Sequence, residues 1–67
     1  MSNEINDELL DYIAEHNSQP DDFLYAIMSE ADLTDEEALY YLKDSFGYKY
    51  SDKELKGIIY EYRRDNK

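Results

Sequence analysis

Cysteine and tryptophan do not occur in the 67-residue chain, proline occurs once and glycine twice. Without cysteine there is no disulfide framework and no thiolate zinc site, a composition that fits a reducing cytosol. No apolar run approaches the ~18 residues needed to span a bilayer, so no membrane-crossing segment is expected. The polar, acidic start Met1-Ser2-Asn3-Glu4 lacks the basic-then-apolar order of a secretory leader, and the expected location is cytoplasmic. Positive charge is missing too: no lysine or arginine precedes Lys43.

What the chain has instead is acid. Seventeen Asp and Glu face seven Lys and Arg, for a net charge of −10. The excess is uneven, with thirteen acids and one lysine in residues 1–46 but four acids and six bases in residues 47–67. Such a charge repels nucleic acid and anionic membranes and speeds encounter with basic proteins. Tyrosine is also abundant, at eight residues. A buried tyrosine needs a partner for its hydroxyl, so a core this small must leave several rings outside.

Periodicity predicts an all-α fold, a small bundle of four short helices joined by tight turns, as a single domain over residues 1–67. The strongest signal is a helical hairpin, Thr34 to Phe46 and Ser51 to Arg64. Both halves open with a hydroxyl and an acid three residues on, Thr34…Glu37 and Ser51…Glu54, the pattern of a capping box. Leu33 and Tyr50 precede these caps, spaced to staple onto Ala38 and Leu55. Gly47 is placed to end the first of the pair in the left-handed conformation, and Gly57 suits close approach of another backbone. An earlier helix is predicted from Glu4 to His16, capped by Ser2 or Asn3. Its apolar stripe would be Ile5, Leu9, Ile13 and His16, flanked by Leu10 and Tyr12. The next helix is predicted from Pro20 to Ala31, capped by Ser18 or Gln19 and burying Phe23, Leu24, Ile27 and Ala31. In the hairpin the apolar faces are Ala38, Leu39, Leu42 and Phe46, and Leu55, Ile58, Ile59 and Tyr62. Strand signals are absent.

Acids in first helical turns stabilise the positive end of the helix dipole, by ~0.3–1 kcal/mol each. Asp21, Asp22, Asp35, Glu36, Glu37, Asp52 and Glu54 have that structural reason. Asp7, Asp11, Glu15, Glu30, Asp32 and Asp44 do not. The stripe Glu4, Glu8, Asp11 and Glu15 even sets like charges four residues apart, which costs roughly 0.2–0.5 kcal/mol per pair. Folding alone would not select it. The plain alternative is a solubilising surface. The functional reading is an electrostatic site for a basic protein partner, a charged track able to imitate nucleic acid, with outward tyrosines as rigid anchors. The residues expected to form or border that site are Asp7, Asp11, Glu15, Tyr25, Glu30, Tyr40 and Asp44.

Other chemistries find little support. Lys53, Lys56, Tyr60, Arg64 and Lys67 form a basic face on the last helix, but cations belong at a helix C-terminus, and the rest of the molecule would oppose direct contact with nucleic acid. A helix-turn-helix reading of residues 23–46 would bring Asp35-Glu36-Glu37 against phosphate. His16, the lone histidine, is expected to cap or half-bury at the end of its helix; no nucleophile or second ligand accompanies it. Asp32…Glu37 lacks the glycine-centred loop of a calcium site. Asp44-Ser45-Phe46 is similar to the carrier-protein attachment triplet, but that serine starts a helix and Ser45 ends one. No catalytic, cofactor or metal site is therefore expected.

Tyr40-Tyr41, followed some twenty residues on by Tyr62-Arg63-Arg64-Asp65-Asn66, resembles the immunity proteins of nuclease colicins. These are small acidic four-helix proteins that block a basic toxin, and they carry a Tyr-Tyr pair and an aromatic-Arg-x-x-Asn helix end. The present chain is shorter, and lacks their proline after the tyrosine pair and their Gly-Lys ending. The resemblance implies an inhibitor of a basic nuclease. The residues themselves imply a small regulator or inhibitor, of a size and charge suited to a phage or mobile element, acting as a monomer or weak homodimer. The alternative class is a self-assembling structural protein.

Overall fold

The computed structural model describes residues 5–65. Four helices follow one another: α1 (Asp7–His16), α2 (Pro20–Glu30), α3 (Asp35–Phe46) and α4 (Asp52–Asp65). The all-α bundle expected from periodicity is what forms. Helices α2, α3 and α4 each pack on the other two, while α1 lies chiefly against α2. Phe23, Leu24 and Ile27 of α2, Leu42 of α3 and Leu55 of α4 are fully buried at the centre. Each contributes about 1.5–3 kcal/mol relative to an exposed side chain. Phe23 and Phe46 meet edge to face, with centroids 5.3 Å apart, a geometry favoured by the ring quadrupole. No polar or charged side chain among the described residues is buried.

The caps of the hairpin form as expected. Thr34 Oγ1 accepts from the Glu37 N–H at 3.2 Å, and Glu37 Oε1 accepts from the Thr34 N–H at 2.9 Å. Ser51 and Glu54 repeat the exchange at 3.2 and 3.0 Å. Each box satisfies two N–H groups that the helix leaves without partners. Leu33 and Ala38 are both buried, and Tyr50 packs half-buried beside the core that holds Leu55.

Several expectations are corrected, among them that Asp7 lacks a structural reason: it lies with Glu8 in the first turn of α1, where the helix dipole favours a carboxylate. Helix α1 starts later than predicted, because Asn6 is its cap: Asn6 Oδ1 accepts from the Leu9 N–H at 2.8 Å. Ser2, Asn3 and Glu4 lie outside the described residues. Ile5 is buried ahead of the helix and Leu10 within it, in the positions of a staple across the cap. The inward face of α1 is consequently Leu10 and Ile13, with Leu9 half-buried and Tyr12 and His16 exposed.

At the start of α2, Gln19 stands at the cap without a side-chain hydrogen bond, and Pro20 is buried as the first helical residue. Pro20 has no N–H to satisfy there. Ala31 ends α2 half-buried rather than buried. Gly47 is right-handed, at φ −63° and ψ −20°, and not left-handed. The chain turns on as a helical continuation, with the N–H groups of Lys49 and Tyr50 both donating to the Phe46 carbonyl. Glycine is required at 47 for space: a Cβ there would collide with the Lys43 carbonyl oxygen. Gly57 is the reverse case. It is exposed, and a Cβ would meet nothing within 4 Å, so no neighbouring backbone among the described residues approaches it.

Candidate functional site

Helix α1 is built so that its acids face away from the protein. With Leu10 and Ile13 directed inward, the 100° step of an α-helix centres Glu8, Asp11 and Glu15 on the outer side, with Asp7 on the flank. All four are exposed. Beside them Tyr12, 59% exposed, stacks on His16 with centroids 4.2 Å apart. The His16 Nδ1 lies 2.9 Å from the Tyr12 carbonyl oxygen, and Asn17 Nδ2 donates to the Ile13 carbonyl at 2.8 Å. The two side chains together close the C-terminal turn, where carbonyls otherwise lack partners. His16 thus engages the helix end as expected, but on the exposed side.

The remaining candidates sit elsewhere. Glu30 is the last residue of α2 and is exposed. Tyr25, 58% exposed, meets Tyr62 of α4 edge to face at 6.1 Å. Tyr40, 68% exposed, and Asp44 occupy the outer face of α3. Tyr40 also touches Tyr41 edge to face at 5.5 Å. The Tyr41 hydroxyl is itself turned inward, accepting from the Ile5 N–H at 3.4 Å and linking α3 to the start of α1. The structure therefore groups Asp7, Asp11 and Glu15 on one helix and pairs Tyr40 with Asp44 on another. Tyr25 belongs to the seam between α2 and α4. Tyr12, Tyr48 and Tyr60 are exposed in addition; Tyr12 is the one the periodicity missed, since it flanks the stripe once Leu9 and His16 are assigned inward.

The ion pairs among the described residues involve other acids. Lys43 Nζ pairs with Asp52 Oδ2 at 3.2 Å, joining α3 to α4. Arg63 Nε reaches Asp35 Oδ1 at 2.8 Å while its Nη2 donates to the Leu33 carbonyl at 2.9 Å. Arg64 faces its neighbour Asp65 at 3.6 Å. All three pairs join acids of α3 and α4, and are solvent-exposed, a class worth ~0.2–1 kcal/mol. Among the described residues Asp7, Asp11, Glu15, Glu30 and Asp44 form no ion pair. Among the described residues two of these pairs, Lys43–Asp52 and Arg63–Asp35, join α3 to α4, the third lies within α4, and none reaches α1.

No family model, curated protein or solved structure matches the chain. The likeness to colicin immunity proteins accordingly stands on the tyrosine pair and the helix end alone. Among the described residues no group of three or more His, Asp or Glu is arranged to hold a metal ion, and no helix is long and apolar enough to cross a membrane.

Proposed function

We propose that this protein works by binding, docking its acidic surface on a basic face of a larger protein in the cytoplasm. The observation that carries the reading is the outer side of α1. Glu8, Asp11 and Glu15 stand together in water without a cation from among the described residues. Like charges at that spacing weaken the helix, and Glu15 faces the negative end of the dipole. A cationic partner would relieve both costs, and steer its own approach through the long-range field. Tyr12 beside the acids, and Tyr40 beside Asp44, supply rigid amphipathic area of the kind that anchors protein interfaces. A basic nucleic-acid-binding protein, including a nuclease of the class the immunity-protein resemblance implies, has the complementary charge.

The test compares the wild-type chain with the Asp11→Lys/Glu15→Lys variant as immobilised bait, eluting captured proteins from the source cell with a salt gradient. A true partner is basic, elutes at lower salt from the variant, and binds it more weakly. A partner held equally by both, with the same salt dependence, removes α1 from the interface. Sedimentation from low to high salt separates the alternative class: a monomer throughout removes the self-assembling reading.

A further inference from the structure

An open groove of about 490 Å³ lies between the first turn of α2 and the second half of α4. Tyr25, Tyr50 and Tyr62 line it together with Asp22 and Glu61, and no lysine or arginine among the described residues does. Asp21 and Asp65 border it as well but have local partners: Asp21 Oδ1 accepts from the Asp22 N–H at 3.0 Å, and Asp65 faces Arg64. The carboxylates of Asp22 and Glu61 have no ion pair among the described residues. The Tyr50 ring has Lys49 Nζ 5.9 Å from its centroid.

We infer that this groove receives an arginine side chain from a basic protein partner. The inference rests on the protein-binding reading above and gives that partner's cation a seat. Aromatic faces attract cations through their quadrupole. A guanidinium is planar and weakly hydrated, so it stacks on a tyrosine while its fork meets a carboxylate; a lysine ammonium does neither as well. The volume is within the ~300–1,000 Å³ of ligand-sized clefts, ample for one such side chain. The competing occupant would be an anion on the α2 N-terminus, which carries about half a positive charge. Asp21 and Asp22 outweigh that charge, and Pro20 offers no N–H at the first helical position. The local field favours a cation.

The experiment titrates the ¹⁵N-labelled full chain with a capped glycine-arginine-glycine-arginine peptide, and with its lysine and citrulline counterparts, following amide shifts. Expected is a cluster of shifts over residues 19–25 and 58–65, tighter binding of the arginine peptide than the lysine one, and none by citrulline. Tyr25→Ala, at an exposed position, weakens the arginine peptide about two- to fivefold, the size of an exposed cation–π contact. Glu61→Gln, which preserves shape, weakens it by a similar factor. Shifts confined to α1 would overturn the groove while leaving the acidic docking surface standing. Shifts nowhere would remove both. Equal binding of arginine and lysine peptides in the groove would overturn the arginine assignment.

Discussion

Replacing each glycine by alanine should move stability in opposite directions. Gly57 lies inside α4, exposed, with open space where a Cβ would go. Alanine there adds no collision and removes the freedom that glycine gives the unfolded chain, a gain of about 0.8–1.0 kcal/mol. For a domain of this size that corresponds to a melting point higher by about 4–8 °C. Gly47 has backbone angles that alanine adopts without strain. Its Cβ, however, would collide with the Lys43 carbonyl oxygen, the same atom that accepts the Gly47 N–H at 2.9 Å. A backbone oxygen cannot swing aside as a side chain can, so Gly47→Ala should cost about 1–3 kcal/mol, as overpacking does. Far-UV circular dichroism through thermal and urea unfolding measures both, and an unchanged m-value ties the shift to native stability. A Gly57→Ala variant that loses stability, increasingly so at higher protein concentration, would refute the reasoning. It would show that a second backbone sits over Gly57 after all. A neutral Gly47→Ala would equally refute the collision.

Two further outcomes follow from the charge arrangement. Arg63→Ala should destabilise by about 1–2 kcal/mol, because it removes the Asp35 pair and also strips the Leu33 carbonyl of its donor. Asp35→Asn, which leaves that donor in place, should cost less than about 1 kcal/mol; urea denaturation of the two variants checks the order, and equal losses would contradict it. With a net charge of −10, the folded chain repels itself, and raising sodium chloride from 10 to 150 mM shortens the screening length to about 8 Å. The melting point should rise over that range. A fall would mean that the ion pairs of α3 and α4 outweigh the uncompensated acids.

The hairpin was legible because its signals are reciprocal. Thr34 with Glu37, and Ser51 with Glu54, announce a helix start from both partners at once, and each pair makes both hydrogen bonds. The start of α1 was misplaced because its cap is one-sided. Asn6 has Leu9 and not an acid three residues on, and Ile5 extends the apolar pattern backwards although it packs from outside the helix. Carrying the stripe one turn too far then put Leu9 and His16 inward and Tyr12 at the margin. Gly47 misled differently: a glycine after a helix suggests positive φ, whereas here it answers a contact with Lys43 that only coordinates reveal. The outward positions of Tyr25, Tyr40 and Tyr60 were readable from helical phase alone. Which acids would find a cation was not, since the Arg63–Asp35 pair joins residues 28 positions apart.

The lopsided packing of α1 has an energetic corollary. Because α1 leans chiefly on α2 and is tied to α3 by the Ile5–Tyr41 link, it is the helix expected to open first, while the other three keep their shared centre. The helix with four exposed acids and no lysine or arginine is thus also the one with the fewest packing partners. Any molecule that grips it in the folded state alone raises the melting point of the chain, with the logarithm of the ratio of its concentration to its dissociation constant.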